Sequence, residues 1–182
     1  MGMRRRLVPG SLLVGSVLVF VAGCGSMPDR AVGGPAPVAK PASMERLRQQ
    51  AREALARYDA TIQQAGGAPV TMTPAPWDPG QALGAYVVDS AATTRGGRHL
   101  TVTFYGAPGP ASEPCGADYT AEPVESPTAV TVIVTERARG EAAVCPAIAA
   151  WRTETVQLDR PLGERTVLET QQGVPVEVTI TG

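Results

Sequence analysis

Between residues 44 and 62, apolar side chains recur at three- and four-residue spacing: Met44, Leu47, Ala51, Ala54, Leu55, Tyr58 and Ile62. The other face carries Arg48, Gln49, Arg52, Glu53 and Gln63. That period predicts an amphipathic α-helix of about 20 residues. Ser43 is placed to cap its start and Gly66-Gly67 to stop it. The stripe reads as core-facing rather than as a coiled-coil seam, because it runs for only about three heptads.

Beyond residue 84 the period becomes two. Tyr86-Val87-Val88 is a short apolar run, and Leu100, Val102 and Phe104 alternate with Thr101, Thr103 and Tyr105. Val130, Val132 and Val134 alternate with Thr131, Ile133 and Thr135; Val156 and Leu158 alternate with Thr155 and Gln157. Thr166–Thr170 is a further candidate, and Val174, Val176, Val178 and Ile180 form the last alternation, with Pro175 favouring a sheet edge. Arg95-Gly96-Gly97-Arg98 supplies a hairpin turn. Val and Thr suit strands, and hairpin-type turns rather than crossover helices predict a mainly antiparallel sheet. The predicted fold class is α+β: one N-terminal amphipathic helix packed on a mainly antiparallel sheet of about six strands. A single domain is expected over residues 44–182, and a β-sandwich with an outlying helix is the alternative. A Pro/Gly-rich crossing, residues 65–84, carries Trp77 either as a core plug or as an exposed aromatic platform.

The N-terminus has another character. Arg4, Arg5 and Arg6 precede an apolar stretch from Leu7 to Val21, which ends in Val21-Ala22-Gly23-Cys24. A charged start, a short apolar core and small residues before a break mark an export signal. The cysteine after Ala-Gly resembles the lipobox of a bacterial lipoprotein signal. The resemblance implies cleavage of residues 1–23 and a diacylglycerol anchor on Cys24, with the mature chain on the extracytoplasmic face of the cell membrane. Pro9 and Gly10 argue against the alternative, an uncleaved transmembrane helix. Export by the general secretory or the twin-arginine route stays open. Residues 24–43, the lipidated cysteine and a Pro/Gly-rich tether, have a reach of roughly 60 Å if extended.

Of 182 residues, 18% are charged, and the formal net charge is −1. Without a basic excess, nucleic acid is excluded as a partner. Sixteen basic residues less Arg4, Arg5 and Arg6 leave thirteen against seventeen acidic ones in the mature chain. Such a surface is not drawn to an anionic membrane, so the lipid must supply the attachment. One histidine, His99, and three cysteines exclude a multi-histidine metal site, and no cofactor is expected. With Cys24 acylated, Cys115 and Cys145 remain, and an extracytoplasmic address predicts a disulfide between them.

Catalytic candidates are few. His99 sits at a strand start, and no Gly-x-Ser-x-Gly elbow accompanies it. Glu113, Asp118, Glu122 and Glu125 fall within residues 106–127, which lack calcium-loop spacing and read as a solvated acidic loop pinned by Cys115. Trp77 and Trp151 are candidate ligand contacts. In the stretch Leu158-Asp159-Arg160-Pro161-Leu162-Gly163-Glu164-Arg165-Thr166-Val167, Arg160 and Arg165 offer an anion pocket. The competing reading is turn architecture, with Asp159 pairing Arg165 across the turn.

That stretch resembles a Leu-Asp-x-Pro-Leu-Gly-x-Arg-x-Val segment of small lipoproteins from high-GC Gram-positive bacteria. The order of elements over roughly residues 85–178 is similar too: a strand ending in Phe-Tyr-Gly, a Cys, a Val-rich strand, a second Cys, this stretch and a Gly-Val-Pro-Val strand. The resemblance implies an exported, membrane-anchored protein and assigns no catalytic residue. The expected function is a binding or interaction module of the cell envelope, its partner an envelope protein or small ligand. A small-ligand carrier or sensor, with its site between helix and sheet, is the alternative. An envelope hydrolase using His99 or the acidic loop ranks below both.

Overall fold

A computed structural model describes residues 42–68, 70–76, 84–141 and 144–182. The signal segment 1–23, Cys24, nearly all of the tether and Trp77 lie outside the described residues.

Helix α1 spans Met44–Gln64. The Ser43 hydroxyl accepts the Arg46 N–H at 3.4 Å, which satisfies a donor the helix cannot pair itself. At the other end Gly67 adopts φ 84°, and its N–H returns to the Ile62 carbonyl at 2.9 Å. Leu47, Ala51, Ala54, Leu55 and Tyr58 are buried. Each buried leucine contributes about 1.5–3 kcal/mol.

Among the described residues eight strands follow: β1 (Ala85–Tyr86), β2 (Val88–Thr94), β3 (His99–Gly106), β4 (Ala117–Glu125), β5 (Ala129–Arg139), β6 (Ala150–Gln157), β7 (Thr166–Leu168) and β8 (Glu177–Thr181). They form two sheets. In the first, β4 lines one side of β5, and β7 and β1 follow each other along the opposite side. The second has the order β6-β3-β2-β8. The β2–β8 and β5–β7 pairings are parallel and the others antiparallel.

The layers explain the pattern along β5. Val130, Val132 and Val134 meet Leu100, Val102 and Phe104 of the second sheet in one core. On the other face, Leu47 and Ala51 of α1 pack with Ile133, and Leu55 and Tyr58 pack with Ala129 and Leu168. Every residue from Ala129 to Val134 is buried, as a strand covered on both faces must be. Thr131 is the polar member of that run, and among the described residues its buried hydroxyl has no hydrogen-bond partner. An unmet hydroxyl costs more than the isosteric methyl that would replace it. Thr131→Val is therefore expected to stabilise the fold by about 1 kcal/mol. A rise in the urea midpoint checks this; a fall would mean that the hydroxyl is satisfied.

The α+β class expected from the sequence is the class observed, with the helix lying across a sheet. Among the described residues the strands number eight where about six were expected, and they are shared between two sheets. Pro175 bridges Leu168 just before β8, and β8 does occupy a sheet edge. The largest departure is β4, which runs through the segment expected to be an acidic loop. Its sequence, Ala-Asp-Tyr-Thr-Ala-Glu-Pro-Val-Glu, is poor in strand formers. Pro123 is tolerated because β4 is an edge strand. Outside contacts hold it: Arg48 of α1 donates to both carboxylate oxygens of Glu122, at 2.6 and 2.7 Å. The hydrogen bond and charge of Arg48 hold the Glu122 carboxyl below the usual carboxylate range.

Candidate functional site

The second sheet has one face in the core and one face that no layer covers among the described residues. Register decides what the open face presents. Across β3 and β6, Thr101 opposes Thr155, Thr103 opposes Thr153, and Tyr105 opposes Trp151. Leu100, Val102 and Phe104 point the other way and are fully buried. The open face therefore carries rows of threonine ending in an aromatic pair. The Thr101 and Thr155 hydroxyls lie 2.9 Å apart and share a hydrogen bond. The rings of Tyr105 and Trp151 stack with centroids 3.7 Å apart and planes inclined by 31°. They are nevertheless 54% and 52% exposed. A stacked aromatic pair left in water is the least ordinary surface feature of the described residues.

A cleft of about 220 Å³ opens beside Tyr105, with Gly106, Pro108, Cys115, Cys145 and Ile148 among its lining residues. Cys115 and Cys145 form the expected disulfide, with their Cα atoms 5.5 Å apart. Two close backbone approaches set up that geometry. A Cβ on Gly116 would stand 1.8 Å from the Pro110 carbonyl oxygen, and one on Gly140 would stand 1.9 Å from that of Glu113. Only glycine fits at either place, and the Gly140 N–H bonds the Gly116 carbonyl at 2.8 Å. The turn before β4 is thus pressed against the end of β5, within reach of Cys145. At the rim, burial and then hydrogen bonding to Tyr119 hold the Tyr86 phenol above the usual tyrosine range. Tyr86 donates to Glu136 at 3.1 Å.

The Leu158–Val167 stretch turns out to be a clasp. Leu158, Leu162 and Val167 are buried, and Gly163 takes φ 58° between them. Arg165 is itself buried. Its Nε donates to the Leu162 carbonyl at 3.2 Å, and its Nη2 donates to those of Arg160 at 2.9 Å and Pro161 at 3.0 Å. Its Nη1 pairs with Glu125, whose other oxygen accepts the Asp159 N–H. Arg160 donates to the Ser126 and Pro127 carbonyls at 3.0 and 2.9 Å. One expectation changes here. The partner of Arg165 is Glu125, not Asp159, because Glu125 at the end of β4 reaches the loop's interior. Arg160 and Arg165 line a cleft of about 440 Å³, but the Arg165 guanidinium is already engaged by three carbonyls and a carboxylate, and Nη2 of Arg160 by two carbonyls.

The remaining candidates do not converge. Asp118 accepts the Ala111 N–H at 3.1 Å and faces Arg137 at 3.4 Å, Glu122 faces α1, and Glu113 is exposed. His99 lies at the far end of the open face, and among the described residues no side chain hydrogen-bonds its ring. Among the described residues, no three His, Cys, Asp or Glu side chains are grouped as a metal site requires. The site thus offers ring faces and hydroxyls, which bind by stacking and hydrogen bonding. Sequence reasoning named Trp151 and missed Tyr105, although the alternation places Tyr105 on the polar face with Thr101 and Thr103.

In comparisons with protein-family models, curated proteins and solved structures, nothing matches the chain.

Proposed function

We propose that the chain is a membrane-anchored extracytoplasmic lipoprotein and works as a binding module of the cell envelope. A diacylglycerol anchor on Cys24 holds it, the tether to residue 43 sets its reach, and the open face of the second sheet meets the partner. The stacked, half-exposed Tyr105–Trp151 pair carries this reading. An isolated domain would lower its free energy by covering those rings, and a binding protein gains affinity by leaving them for a partner.

A second reading is a carrier of a small apolar ligand. It is favoured by a groove of about 560 Å³ between α1 and the first sheet, lined in part by Met44, Leu47, Ala85 and Tyr86. That size falls within the usual range for ligand pockets.

The test uses the full chain extracted from membranes in detergent. Its intact mass is expected to begin at Cys24 with attached lipid. Its retention on purified envelope is expected to fall about tenfold in the Tyr105→Ala/Trp151→Ala variant, a difference of about 1.4 kcal/mol. The variant should remain folded, because exposed side chains leave the core untouched. Retention unchanged by the double substitution would sink the binding face. An uncleaved chain would sink the anchor.

A further inference from the structure

We infer that the open face of the second sheet takes a neutral glycan chain. The inference rests on the binding reading above and names the partner's chemistry. Six facing positions of β3 and β6, namely Thr101, Thr103, Tyr105, Trp151, Thr153 and Thr155, carry no formal charge. The neighbouring positions on β2, Ser90 and Ala92, extend the neutral surface by register with Thr103 and Thr101. Asp89 in the β2 bulge, Glu177 on edge strand β8 and His99 at the far end mark its borders. A charged partner laid here would lose hydration and find no countercharge. An uncharged partner matches.

The composition of the face separates a glycan from a protein. Hot spots of protein interfaces are poor in Ser and Thr, and their cores rely on larger apolar anchors and Arg. Here threonine dominates. A hydroxyl both donates and accepts, so a row of threonines answers hydroxyls of either sense on a sugar chain. Tyr105 and Trp151 supply the complementary part. The C–H faces of a sugar ring pack on the negative face of an aromatic ring, as other partially positive hydrogens do. Tyr105 backs one side of the indole, and among the described residues no strand stands beyond β6 to cover the other. The strand also gives length. From Tyr105 to His99 the face runs for roughly 20 Å, enough for several sugar units in line.

The experiment immobilises purified envelope and measures retention of the detergent-solubilised full chain. One sample is oxidised with periodate, which cleaves vicinal diols; one is digested with proteinase; one is left untreated. Retention should fall about tenfold after periodate and survive proteinase. It should change less than about twofold between low and high salt, because neutral contacts are not screened. On untreated and on proteinase-treated envelope, the Tyr105→Ala/Trp151→Ala variant should be retained about tenfold less than wild type. Loss after proteinase with survival of periodate would identify a protein partner; it would overturn the glycan inference and leave the binding reading standing. Strong salt dependence would identify a charged polymer and likewise overturn it. Equal retention of wild type and variant on untreated envelope would overturn both.

Discussion

Replacing Arg165 by Met is expected to destabilise the fold by about 3–5 kcal/mol, the cost of leaving one member of a buried ion pair alone. Domains of this size are stable by about 5–15 kcal/mol, so the loss takes a large share of the total. The variant removes the donor to Glu125, whose carboxylate then keeps, among the described residues, only the Asp159 N–H. It also strips donors from the carbonyls of Arg160, Pro161 and Leu162. Lysine should rescue poorly, because one ammonium cannot reproduce a planar fork aimed at four acceptors. Glu125→Leu combined with Arg165→Met should recover part of the loss, since neither charge is then buried. Urea unfolding of the three variants checks the order. An unchanged midpoint in Arg165→Met would mean that the clasp does not hold the fold.

Opening the disulfide is the second large effect. Cys115 and Cys145 are separated by 30 positions. Chain-entropy arithmetic for a loop of that length gives roughly 3–4 kcal/mol. Cys115 holds φ 63°, a conformation that costs a non-glycine residue about 1 kcal/mol or more and can relax once the bond is gone. The net loss for Cys115→Ser/Cys145→Ser is therefore expected at about 2–3 kcal/mol. Thermal unfolding with and without a thiol reductant measures it, and the double variant should be insensitive to reductant. Equal melting temperatures for oxidised and reduced wild type would contradict it. The disulfide and the Arg165 clasp hold opposite ends of β4, separated by roughly 30 Å of extended chain. Their effects should add.

These clamps show why some of the molecule was legible in the sequence and some was not. The helix, its Ser43 cap and its Gly66-Gly67 stop are local events, written in neighbouring residues. The Val/Thr strands were legible because alternation is local too. Strand β4 was not, because its own residues argue against it. Glu122 is held from a helix 74 positions away, and Glu125 from an arginine 40 positions away. The division into two sheets was hidden for a related reason: period two tells which face is apolar, but not which sheet shares it. The disulfide followed from compartment and count. Of the aromatic pair, Trp151 was a candidate on its own, while the stack with Tyr105 depends on the β3–β6 register, which joins residues 46 positions apart.

The binding face is tested most directly in living cells. A photoreactive side chain at Thr153, one step along the open face from Trp151, would report what touches the sheet. The same group at Ala56, exposed on the far side of α1, is the control. A binding face there predicts an adduct from position 153 that the Ala56 control does not give, and that disappears when Tyr105 and Trp151 are both replaced by alanine. No adduct at position 153, the same adduct from both positions, or an adduct that survives the double substitution would contradict it.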